Sequence, residues 1–133
     1  MKPYLMTKWE DIDYAPKLNS QAFESGQFIS YNGLGFFKPL APTEEVLGQI
    51  LTDVTSGDDD YAENTLKPYQ RTRIEFKFVM KVVTGTATSA MVGLVYDIGA
   101  GSAGLDVSGV GTQFILDTFI DASTVVVRPA LVS

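Results

Sequence analysis

The 133-residue chain contains no histidine and no cysteine. Without cysteine there is no disulfide, no thiolate nucleophile and no Cys-ligated zinc. Without histidine the usual general base, the Ser-His-Asp relay and the commonest transition-metal ligand are gone. What remains for metal chemistry is hard-cation binding by carboxylates. Basic charge is also scarce, with 10 Lys+Arg against 16 Asp+Glu and a net charge of −6. That balance argues against a non-specific grip on nucleic acid. No apolar run of about 18 residues offers a membrane span, and the opening MKPYLMTKWEDIDY lacks the apolar core of a secretory signal.

Hydrophobic residues make up 45% of the chain and charged residues 20%, enough for a folded core. The length suits one domain rather than a nucleotide domain plus a substrate domain. Residues 1–25 show no clean period and scatter Tyr4, Trp9, Tyr14 and Phe23 among charges and prolines. They are expected to form an N-terminal arm. It either folds back over its own domain or buries its aromatics on a neighbouring subunit. Residues 26–133 are expected to form a single β-rich domain.

Within that domain Asn32-Gly33 marks a hairpin between strands near Gln27–Tyr31 and Gly35–Pro39. Residues 43–54 fit either a helical stripe capped by Thr43 or a strand over Val46–Thr52, and the strand is preferred. Ile74, Phe76, Phe78, Met80 and Val82 alternate with Arg73, Glu75, Lys77, Val79 and Lys81. This period of two predicts an antiparallel strand with an apolar face and a largely basic wet face. Strands are also expected over Ala90–Ile98, Gln113–Ile120 and Thr124–Arg128, the last two joined by a turn at Asp121-Ala122-Ser123. No internal repeat is visible. The fold class predicted is all-β, a small antiparallel β-barrel or sandwich with an extended N-terminal arm.

One stretch imitates a cofactor site. Gly99-Ala100-Gly101-Ser102-Ala103-Gly104 matches G-x-G-x-x-G and follows an apolar run. A dinucleotide fingerprint needs the third glycine to open a helix that receives the pyrophosphate. Here Gly109, Gly111, Val107 and Val110 follow, and each interior glycine costs a helix about 1 kcal/mol. The segment is read instead as a small-residue connection between strands, and no cofactor is expected.

Other constellations are similarly bland. Asp58, Asp59, Asp60 and Glu63 bring oxygens together but lack the calcium-loop spacing, so a solvated acidic loop is expected and no metal. Asp97, Asp117 and Asp121 show no spacing that selects a catalytic acid–base pair. No catalytic residue is assigned. The basic face of Arg73, Lys77 and Lys81 lacks stacking aromatics for nucleic acid. It reads either as a solvated face or as a match for an acidic patch, such as the Asp58–Glu63 loop of a neighbouring copy. Tyr61 and Tyr69 are the pair to consider for a carbohydrate platform.

The stretches VLGQILTDVTSGDDD, IEFKFVMKVVTGTATSAMVGLVYDI and FILDTFIDASTVVVRP resemble the strands and loops of small capsid decoration (cement) proteins of tailed bacteriophages. The resemblance covers roughly residues 25–129. It implies a non-catalytic β-domain on the virion surface, bound to the major capsid protein, often as a homotrimer, without cofactor, nucleic acid or membrane. Partner contacts are expected from Tyr4, Trp9, Tyr14, Arg73, Lys77 and Lys81. The alternatives are another virion part, such as a head–tail connector or fibre base, and a carbohydrate-binding β-sandwich.

Overall fold

Ten short strands carry the described part of the fold, and several owe their place to a period-two apolar face. β10 (Thr124–Pro129) buries Val125, Val127 and Pro129 and half-exposes the residues between them. β9 (Phe114–Asp121) buries Phe114 and Leu116 in the same way. The computed structural model describes residues 12–73 and 75–130, so Tyr4 and Trp9 lie outside the described residues. The remaining strands are β1 (Ile12–Pro16), β2 (Phe28–Tyr31), β3 (Phe37–Pro39), β4 (Gly48–Ile50), β5 (Leu66–Arg71), β6 (Phe78–Thr84), β7 (Val95–Ile98) and β8 (Gly104–Asp106). Among the described residues two three-residue 3-10 turns interrupt them, Ser89–Met91 and Ala100–Ser102. The all-β expectation holds.

The described residues divide into two compact units. The first takes residues 12–39 and 47–72, and its strands form one sheet in the order β1-β5-β4-β2-β3. All its ladders are antiparallel. Just past β1, Lys17 makes a parallel bridge to Phe37 of β3, so the two outer strands meet. Ala15, Phe23, Ile29, Phe37, Ile50, Val54 and Tyr69 form its core. The rings of Phe23 and Phe37 meet edge to face at 5.2 Å, a favoured aromatic geometry.

The second unit takes residues 40–46 and 73 onward and is a closed barrel, β10-β6-β8-β7-β9. Closure leaves no free edge. One of its ladders, β6 with β8, is parallel. Its interior is built from Met80, Tyr96, Ile98, Leu105, Phe114, Leu116, Val125 and Val127, all buried. Residues 40–46 are tied to it by Ser102 Oγ, which donates to Leu40 O (2.7 Å), and by Gln113 Nε2, which donates to Ala41 O and Glu44 O.

The two units have the same connectivity. In each, the first strand pairs with the fifth, the fifth with the fourth, the fourth with the second and the second with the third. In each, the first and third strands touch in parallel, at Lys17–Phe37 and at Val82–Leu105. The match extends to single hydrogen bonds. Gly26 N donates to Ile50 O (2.7 Å) as Gly93 N donates to Leu116 O (2.8 Å). Lys17 N donates to Thr65 O as Val82 N donates to Ser123 O, and Thr72 N to Leu47 O as Ala130 N to Gln113 O. Core positions correspond as well. Ile29, Phe37, Ile50 and Tyr69 have Tyr96, Leu105, Leu116 and Val127 as counterparts, and all are buried. The chain therefore holds an internal structural repeat.

Several expectations change. Part of the supposed arm is structural, because β1 pairs with β5 and Phe23 bridges Val54. β5 was not anticipated, since Lys67-Pro68 reads as a break; Pro68 is tolerated opposite Tyr14 of the outer strand β1. The alternating segment from Arg73 becomes strand only at Phe78, after a turn in which Phe76 N donates to Arg73 O. Residues 90–94 form a 3-10 turn and a reversal at Gly93 (φ +91°), so the strand there starts only at Val95. The expected strand over Val46–Thr52 is present but shorter, Gly48–Ile50.

The G-x-G-x-x-G segment is the counterpart of the Asn32-Gly33 hairpin. Gly99 N donates to Gly104 O as Asn32 N donates to Phe36 O. A Cβ at Gly99 would lie 2.3 Å from Val83 Cγ2, and one at Gly104 2.2 Å from Val83 Cγ1. Both glycines exist to admit the Val83 side chain beside the backbone. Gly101 takes φ +80°, a conformation that suits glycine.

Candidate interaction surface

In the first unit the chain between β4 and β5 is long, and it carries the acidic run. It is held in one conformation by a set of local and long-range bonds. Asp58 accepts from Thr55 N and Thr55 Oγ1, both at 3.0 Å. Asp60 accepts from Thr65 Oγ1 (2.7 Å) and pairs with Lys67 Nζ at 2.9 Å. The hydrogen bonds from Thr65 and Lys67 pull the Asp60 carboxyl down to about 2. Tyr61 donates its hydroxyl to Ser20 O, and Asn64 Nδ2 donates to Lys17 O.

The anchor of this loop is Lys17. Its side chain is fully buried, and its ammonium donates to Tyr61 O (3.0 Å) and Glu63 O (2.5 Å). A lysine is almost never buried without such partners. Sequence reading passed over Lys17 because its acceptors are backbone atoms more than forty residues away. Around the anchored backbone, Asp53, Asp59 and Glu63 remain exposed.

Tyr14 stands on the outward side of β1 at 62% exposure, and Leu66, opposite Pro16 in the β1–β5 ladder, is 63% exposed. Beside Tyr14, Asp13 pairs with Arg71 at 2.7 Å. The backbone N–H of Tyr14 and then the Arg71 guanidinium lower the Asp13 carboxyl from its ordinary value.

In the second unit the outward side of β6 carries Val79 (73% exposed), Lys81 and Val83, with Lys77 just before the strand. Lys77 is tied to Asp117 at 3.2 Å, and Arg128 reaches the same carboxylate at 3.3 Å. These contacts, Lys77 first, depress the Asp117 carboxyl. Arg73 is exposed ahead of the strand. Thus the expected basic face exists at Lys77 and Lys81, alternating with exposed valines, whereas Tyr14 belongs to a different unit.

The other candidates resolve into structural roles. Asp97 accepts from Thr112 N at 2.7 Å, and Asp121 accepts from Ser123 N and Oγ at the β9–β10 turn. Tyr69 is buried in the core, so Tyr61 and Tyr69 do not form an exposed aromatic platform. Among the described residues no group of three or more Asp or Glu side chains is placed to hold a metal ion, and no helix is long and apolar enough to cross a membrane. No protein-family model matches the chain, and no curated protein matches it in sequence.

Proposed function

We propose that this is a virion structural protein of the capsid-decoration kind, which binds the outer surface of a tailed-phage head and stiffens it. Its partner on this reading is the major capsid protein, and it acts as a homo-oligomer, a trimer in the resembled family, without catalysis or cofactor. The observation that carries the reading is the exposed apolar pair on the first unit, Tyr14 of β1 with Leu66 of β5. These leave apolar side chains in water where a merely solvated strand carries polar ones. Such a face, multiplied by copies of the chain, gives attachment by avidity rather than by one strong contact. The buried position of Tyr69 weighs against the carbohydrate-binding alternative.

The test is co-sedimentation of the purified protein with assembled phage heads that lack their own decoration. The reading predicts saturable binding and heads that withstand higher temperature before releasing DNA. Absence of binding to heads from any phage with which the protein is encoded overturns it.

A further inference from the structure

The internal repeat shows which part of the first unit the fold does not need. In the second unit the fourth and fifth strands are joined by a turn at Ala122 and Ser123. In the first unit the same connection runs from beyond β4 to β5 and includes every residue of the acidic loop. The sister unit makes the same strand pairings without such a loop, so the pairing of the strands does not explain it. Nor is it slack chain, since a buried lysine, a tyrosine hydroxyl and two carboxylate turns fix it. A fixed loop binds with a smaller ordering cost than a mobile one. It presents Asp53, Asp59 and Glu63 to solvent.

The face that complements it is also on this chain. Lys77, Val79, Lys81 and Val83 form an exposed row that alternates cation and apolar side chain. The neighbouring strand adds Thr124 opposite Lys81 and Val126 opposite Val79. Lys77 is compensated by Asp117. Among the described residues no ion pair is formed by Lys81, Asp59 or Glu63. The chain as a whole carries −6, so two copies repel on average. A contact that sets the acidic loop against Lys81 on this face turns that repulsion into local attraction, and it fixes the register of the contact at the same time.

We propose that the outward face of β6 is a self-association surface and that its occupant is the Asp53–Thr65 loop of a second copy of this chain. Lys81 meets the Asp59 and Glu63 carboxylates, and Val79 and Val83 supply the apolar area. Because loop and face are different patches, each copy offers one of each. The contact can then repeat around a closed ring. The surface concerns copies of this protein alone, so it stands or falls separately from attachment to a capsid.

The test is sedimentation velocity on the full chain without capsids, at low and high salt. The wild type is expected to associate, and added salt to weaken it. Lys81→Glu and Asp59→Lys each raise the dissociation constant by about tenfold or more, the scale expected for close charge pairs. Combined in one chain they restore association to within a few-fold of wild type. Both sites are exposed, and unchanged melting temperatures confirm that the variants fold. A wild type that stays monomeric at its highest soluble concentration overturns the proposal. So does a single variant that associates as wild type, or a double variant no better than the singles.

Discussion

The two units close the same five-stranded circuit by different means. In the second, β6 and β8 run side by side through Lys81–Gly104, Val82–Leu105 and Thr84–Asp106, and a tight turn joins the last two strands. In the first, the equivalent strands touch at one bridge, Lys17–Phe37, and the equivalent turn is replaced by the acidic loop. The position that holds Val82 in one unit holds Lys17 in the other, and the Lys17 ammonium is spent on the loop. Topology thus survives the exchange of a valine for a lysine, provided the new polar group finds acceptors. The difference marks the part of the first unit that the shared fold does not require, because the other copy lacks it.

The largest effects come from the shared core. Phe37→Ala removes about 3–5 kcal/mol and its counterpart Leu105→Ala about 2–5 kcal/mol, read by denaturant unfolding. In hydrogen exchange the first change is expected to loosen the amides of the first unit and the second those of the barrel. If both substitutions loosen the same amides to the same degree, the units are not separate cooperative elements.

Lys17→Met tests the point of difference. It keeps the buried stem but takes the ammonium from Glu63 O and leaves Tyr61 O only the Ser20 N–H, at a cost of about 1–3 kcal/mol. The loss of exchange protection is expected over residues 55–65 above all. The glycine pair tests the point of identity. Gly26 (φ +93°) and Gly93 (φ +91°) hold equivalent reversals with open space where a Cβ would stand. Gly26→Ala and Gly93→Ala are therefore expected to cost the same, about 1–2 kcal/mol each, through backbone conformation alone. Unequal costs break the equivalence of the two turns.

The smallest effects are those of pH. Hydrogen bonds from Thr65 and Lys67 lower Asp60 from 3.8 to about 2. The folded form therefore releases its proton more readily than the unfolded one. The stability this contributes is complete above 3.8 and is lost as pH falls through about 2. Burial raises Tyr69 from 10.0 to about 12. Its contribution is complete below 10.0 and is lost as pH rises towards about 12. Acid titration towards about 2 is expected to loosen the loop around Asp60, and alkaline titration the first core. Amide and tyrosine-ring signals in NMR report the two separately.

Much of the fold was legible in the sequence where local chemistry decides it. Asn32-Gly33 announces the β2–β3 hairpin, and the Asn32 side-chain oxygen accepts from Leu34 N and Phe36 N as such a turn demands. The β-branched run from Thr124 announces β10. β5 was hidden because Pro68 and three polar neighbours, Lys67, Gln70 and Arg71, obscure the residue that joins the core, Tyr69. The stretch before Val95 was misread because apolar Met91, Val92 and Leu94 mimic a strand, whereas Gly93 reverses the chain between them.

The repeat was invisible for a different reason. Its counterparts share burial and register but not identity, as Ala15 with Met80, Phe37 with Leu105 and Tyr69 with Val127 show. Each unit needs a filled interior, and different combinations of large and small side chains fill it. Of the interaction surface, the alternation of Lys and Val along β6 and the run of acids could be read directly. The anchoring of the loop by Lys17 could not, because it depends on acceptors brought near only by folding.

The most direct measurement is a transplant of one unit's solution into the other. In one variant, residues 55–64 are replaced by the Ala-Ser turn of the β9–β10 connection, which keeps Val54 in the core, and Lys17→Val removes the ammonium that the loop satisfied. The variant is followed by circular dichroism and sedimentation velocity. If the loop is an addition to a fold that closes without it, the variant keeps its β spectrum and a cooperative melt but sediments as a monomer. A variant that unfolds, or one that folds and still associates as wild type, contradicts the account.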